Sequence, residues 1–149
     1  MNYLLKAAVL CILIFSLKPS QAQETDRRPQ LFTVFSNTIS FPKPELEKAF
    51  NTTAGQVIKL SLGNNFSFTG TVTSSIQTFE NLQNVIIRLD FLDNSVLGIS
   101  KITNDDKSVS YIGRIINPKY ADGFEIKSDT NGNYFMNKIK TQDLIQDHE

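Results

Sequence analysis

The side chains in this sequence best placed to do chemistry are carboxylates. Asp90 and Asp93 flank Phe91-Leu92 beside Asn94, Asp105 and Asp106 are adjacent, and Asp122 and Glu125 bracket Gly123-Phe124. Two carboxylates at a suitable separation can hydrolyse a glycoside, one as acid and the other as base or nucleophile. Aspartate near a strand end has a plainer use, since its side chain bonds its own backbone and shapes a turn. Each of these pairs falls at an expected strand end. Imidazole and thiol chemistry has less to work with. The one histidine is His148, beside the terminal Glu149, and the one cysteine is Cys11. A catalytic triad needs an imidazole gripped by a third group, and a zinc site needs several His or Cys ligands. No G-x-x-x-x-G-K-[ST] or G-x-G-x-x-G run occurs. The expectation is therefore a chain without a cofactor or metal site, and not an enzyme.

Residues 129–133 carry calcium-loop residue types. Gly132 is fourth rather than sixth, however, and Lys140 stands where an EF-hand has its twelfth-position glutamate. They read as a hairpin turn. Phe66, Phe68, Tyr111 and Phe124 belong to an aromatic-rich second half that could stack on a sugar or a base. With no Trp and no interleaved basic residues, core packing is the better use of those rings. Binding residues concentrate on loops held by rigid scaffolds. The irregular stretch 117–122, with Lys119, Tyr120 and Asp122, is therefore the first candidate contact surface, and the polar connection 74–83 is the second. The expected partner is a protein or an extracellular or envelope ligand of unspecified identity. With 15 basic and 15 acidic residues the chain has no electrostatic footprint for nucleic acid. Its oligomeric state is left open.

Residues 1–22 have the layout of a secretory signal peptide. Lys6 precedes an apolar run over 7–17, and Ser20-Gln21-Ala22 puts small residues at the −3 and −1 positions of a cleavage site. The run is shorter than the ~20 residues a membrane span requires. Cleavage after Ala22 would leave a secreted or periplasmic chain without cysteine, without a membrane span, and slightly acidic once Lys6 and Lys18 are gone. Lacking disulfides, that chain must be held together by burial, which a domain of this length can supply.

The elements follow from pattern. Residues 23–30 are polar with a proline and read as a flexible leader; 31–140 read as one β-rich domain; 141–149 read as a polar tail. Leu31 to Phe35 alternates like a short strand. A helix is expected over 42–50, with Pro44 in its first turn and Leu46 and Phe50 on one face. Strands are expected over 56–62, 66–73, 84–92, 96–102, 108–116, 123–128 and 133–139, the run of short elements typical of a sandwich or barrel. The fold class is thus mainly β: an antiparallel sandwich or barrel-like domain of about seven strands with one short N-terminal helix. Asn131-Gly132 is the preferred pair for a two-residue type I′ turn. That turn would set Phe124 opposite Ile139 and Glu125 opposite Lys138, placing Phe135 and Ile139 on the buried face. A second hairpin is expected to turn at 104–107. Phe66-Ser-Phe-Thr-Gly-Thr-Val72 and Val109-Ser-Tyr-Ile-Gly-Arg-Ile115 share an order in which an aromatic precedes a same-face glycine by two. Such a glycine marks a bend or a covered backbone.

Over about sixty residues, the succession Phe-Thr-Gly-Thr-Val, Asn-Ser-Val-Leu-Gly-Ile-Ser and Tyr-Ile-Gly-Arg-Ile is similar to β-rich prodomains of secreted proteases. It includes no cysteine switch or cleavage motif, so no family is named from it. The first functional expectation is a secreted or envelope-associated binding or accessory module. A prodomain-like inhibitor or chaperone of a secreted hydrolase is the second, and a small carboxylate-dependent glycosidase the third.

Overall fold

A computed structural model describes residues 26–144; the expected signal peptide, Cys11 and His148 lie outside the described residues. The described residues form eight strands and one α-helix, with short 3-10 turns at Gly63–Asn65 and Thr141–Leu144: β1 Thr38–Ser40, α1 Lys43–Phe50, β2 Val57–Ser61, β3 Ser67–Phe79, β4 Leu82–Leu89, β5 Val96–Thr103, β6 Val109–Ile116, β7 Asp122–Ser128 and β8 Tyr134–Lys140. They form one antiparallel sheet in the order β1-β8-β7-β6-β5-β4-β3-β2. From β2 to β8 every strand pairs with the next in sequence, so the sheet is a meander joined by short turns. A mainly β fold with a single short helix is what the patterning implied. The architecture is one curled sheet, a half-barrel, with eight strands rather than seven.

Alternation fixes its inner face. Ile58 and Leu60, Phe68 and Val72, Val85, Ile87 and Leu89, Leu97 and Ile99, Tyr111 and Ile115, Phe124 and Ile126, and Met136 are buried and meet across the ladders in one continuous layer. Glycine lets this face curl. A methyl on Gly113 would lie 2.5 Å from the carbonyl oxygen of Gly98 on β5, so adjoining backbone occupies the space a side chain would need. Gly70 is likewise closed in by Arg88 and Ile87. Each follows an inward, fully buried ring by two residues, Phe68 and Tyr111, so the repeated sequence order corresponds to a repeated close approach of the neighbouring strand's backbone.

The chain fills the hollow of its own sheet. Pro44 in the first turn, Glu45 there and Lys48 in the last turn suit α1 to its dipole, and its Leu46, Ala49 and Phe50 are buried. Phe50 packs on Tyr111 at 5.7 Å, and Tyr111 meets Tyr134 edge-on at 5.4 Å. Further along the sheet, Phe32 stands edge-on to Phe124 at 5.1 Å, and Phe35 packs on Phe66 at 5.2 Å. Rings buried this way contribute ~2–3 kcal/mol each before entropy is counted. Residues 31–35 are a turn, closed by Phe35 N–H on the Phe32 carbonyl, and not the expected strand; β1 begins at Thr38 instead. The expected segment lost to a long-range partner, because Asp122 takes the N–H groups of Leu31 and Phe32 at 2.7 and 2.9 Å.

The last hairpin also corrects its expected register. β7 and β8 pair Phe124 with Lys138, Glu125 with Asn137 and Ile126 with Met136. The loop is 129–133, closed by Asp129 N–H on the Asn133 carbonyl, with Gly132 at φ 78°. Asn131 has no positive φ, so this is the three-residue turn with a bulge and not type I′. The Asp129 carboxylate makes the difference by accepting from the N–H groups of Asn131 and Asn133, each at 2.9 Å. One added residue turns β8 over, so Tyr134 and Met136 are buried while Phe135 and Ile139 are half-exposed.

Candidate functional site

Of the residues in the first candidate surface, two come together. Asn117, Pro118, Lys119 and Tyr120 form a turn closed by Tyr120 N–H on the Asn117 carbonyl at 3.0 Å. Buried Asn117 orients it, accepting from Lys119 N–H at 3.1 Å and donating to the Asp93 carbonyl at 2.9 Å. The Lys119 ammonium and the Tyr120 hydroxyl then both reach Asp93 Oδ2, at 3.2 and 3.3 Å. Asp93 and Asn94 have φ of 48° and 58°, and Ser95 N–H bonds the Leu92 carbonyl. This is the φ pattern of a type I′ turn, in a different connection from the one Asn131-Gly132 suggested. Asp122 is not part of this corner. It is buried and turned toward the 31–32 backbone, where removal of its carboxylate would orphan two donors at a cost of ~3 kcal/mol.

The carboxylates are dispersed among separate tasks. Asp93 holds the 117–120 turn, Asp122 anchors the N-terminal segment, and Asp106 accepts from the N–H and hydroxyl of Ser108. Glu125 lies on the outer face of β7 between Lys127 at 2.7 Å and Arg114 at 3.1 Å; hydrogen bonding to Lys127, then to Arg114, holds its carboxyl below the usual range. Among the described residues no three metal-ligating side chains cluster. The N-terminal segment braces this end of the sheet. Arg28 pairs with Asp26 and donates to the Pro118 carbonyl and the Thr141 hydroxyl.

Sequence reasoning missed the outer face of the sheet. There, at Gly98 on β5, the ladder runs from Ile86 on β4 to Arg114 on β6. Gly98 has open space where a side chain would stand. Ile86, Val96, Ile112 and Ile116 surround it and are exposed, Ile112 by 53%. The result is a depression of about 700 Å³, floored by Gly98 and rimmed by Arg114, Glu125 and Lys127. Its volume suits a small ligand or a few side chains of a partner. The signal was present in the alternation: β4 to β6 carry aliphatics on both faces, and one sheet can bury only one of them. Tyr111 supplies a second oddity. Its ring is buried and its hydroxyl has no hydrogen-bond partner among the described residues. Burial, with Glu47 and Tyr134 nearby, pushes this phenol from 10.0 up to about 12.

Among the described residues no helix is long and apolar enough to cross a membrane. No protein family, curated protein or solved structure matches the chain.

Proposed function

We propose that this chain is an exported, non-catalytic binding module that engages its ligand through the outer face of β4 to β6. The observation that carries the reading is the ring of exposed aliphatics around Gly98. Leaving Ile86, Val96, Ile112 and Ile116 in water forgoes burial worth ~25 cal/mol per Å², and contiguous apolar surface of this kind marks interaction sites. Export is supported by the signal-like residues 1–22. A non-catalytic role is supported by the structural employment of Asp93, Asp106, Asp122 and Glu125. A sandwich would be completed if a partner laid its own apolar layer on this face.

The test has two parts. N-terminal sequencing of the protein recovered outside the cytoplasm should begin at Gln23. Retention on immobilised envelope and extracellular material of the producing organism should fall about tenfold or more in Ile86→Asp and Ile112→Asp, with melting temperature unchanged. Undiminished retention in both variants contradicts the assignment of the face.

A further inference from the structure

The sheet manages nearly all of its edges. At the β2 edge, side chains of α1 take the outward backbone groups: Glu45 accepts from Ser61 N–H at 2.8 Å, and the Lys48 ammonium donates to the Lys59 carbonyl. At the other edge β1 is only three residues long, and the turn at Gly63 abuts it so closely that a methyl there would lie 2.8 Å from Ser40 Cβ. Short strands and covering elements are the ordinary means of blunting an edge. One stretch escapes both. β3 runs to Phe79, but its ladder with β2 ends at Thr71, and the backbone of 55–56 extends the cover only to Val72. Over 73–79 it pairs with β4 on one side, and no described residue pairs with the other.

This stretch falls in the second candidate surface, 74–83. Lysine, proline and inward charges are the usual deterrents to pairing on an edge, and β3 carries no charged residue and no proline over its thirteen residues. Ile76 and Phe79 are instead exposed by 55% and 66%. Ile76 sits beside Asn84 on the outer face.

We propose that this edge pairs with the same edge of a second copy, antiparallel about a two-fold axis at Ile76. Such a pairing sets Ile76 against its own copy and Ser74 against Thr78 of the other chain, and it spans the whole uncovered stretch between Val72 and the β3–β4 turn. Opposed aliphatic side chains are a favourable cross-strand pair, and an uncharged strand meets no like charge in its copy. An edge without charge has little with which to select a foreign strand. Its own sequence is the complement it fits, and the isologous contact closes at two chains. Register irregularities at 72–74 and 77–79 lie on either side of Ile76, so the regular part of the contact is 75–77, with Ser75 opposite Gln77 of the other copy. This inference is independent of the outer-face ligand.

The experiment uses protein expressed from the full sequence with Cys11→Ser, so that an introduced thiol is the only one whether or not the leader is removed. Sedimentation should show a saturable monomer–dimer equilibrium that Ile76→Lys shifts to monomer without lowering melting temperature. Under mild oxidation, Ile76→Cys should cross-link far faster than Val34→Cys, although Val34 is the more exposed at 86%. A monomer at every concentration would overturn the proposal and leave the edge to an extended strand of another protein. Dimerisation indifferent to Ile76→Lys, equal cross-linking at the two positions, or open-ended aggregation would overturn it as well.

Discussion

At the scale of single residues, what decides a role is the partner reached, and the partner is often distant in sequence. Lys119 and Tyr120 were legible as a candidate surface because a Pro-containing polar loop stands out between apolar strands. Their common acceptor was not, since Asp93 belongs to another connection. Asp122 looked like a member of the same loop, yet the first residue of a strand can turn its side chain inward, and the two N–H groups of 31–32 gave it reason to. Tyr111 yields the residue-scale prediction. Its hydroxyl is desolvated without compensation, so Tyr111→Phe should stabilise the fold by about 1 kcal/mol in chemical denaturation. The folded pKa lies above the ordinary phenol value, so the neutral form is the one the fold favours. Stability is therefore fully present below pH 10.0 and drains away as pH climbs through about 12. The substitution should shrink that alkaline loss, and an unchanged loss would place its origin elsewhere.

Elements were legible where a pattern was local and ambiguous where two turn chemistries competed. The helix over 42–50 was visible because proline, charge placement and i, i+4 spacing all agree. Strand β3 was cut short because Ser74-Ser75 and Gln77-Thr78 read as a loop, whereas pairing with β4 alone carries it to Phe79. In the last hairpin the Asn-Gly pair pointed to a two-residue turn, and the Asp129 carboxylate drew in one residue more. β8 could accept the slip because both of its faces are partly apolar, Phe135 and Ile139 on one and Tyr134 and Met136 on the other. The same turn recurs at 104–108, where Asn104 N–H bonds the Ser108 carbonyl and Lys107 takes the left-handed position at φ 67°. A matched pair of substitutions tests this equivalence. Lys107→Gly should gain about 0.5–1 kcal/mol by relieving a side chain at positive φ. Gly132→Ala, with open space but φ 78°, should lose about 1 kcal/mol. Equal effects of one sign would show that the two turns differ.

For the molecule as a whole, the strand pattern specified a β fold but not how many sheets it forms, because a meander closing on itself and two packed sheets share the same alternation. What selects the single curled sheet is the supply of a filling layer from outside it: α1 and the 31–41 segment deliver Leu46, Phe50, Phe32, Phe35 and Phe41 to the hollow. The concave side is thereby closed, and the apolar surface remaining for a ligand is convex. Methyl and aromatic NMR shifts of the native protein, titrated with the small apolar dye anilinonaphthalene sulfonate, separate the two sides directly. The predicted result is saturable perturbation of Ile86, Val96, Ile112 and Ile116, with Phe32, Phe68, Leu97 and Tyr111 unmoved. Perturbation of those interior residues, with the outer isoleucines silent, would contradict it.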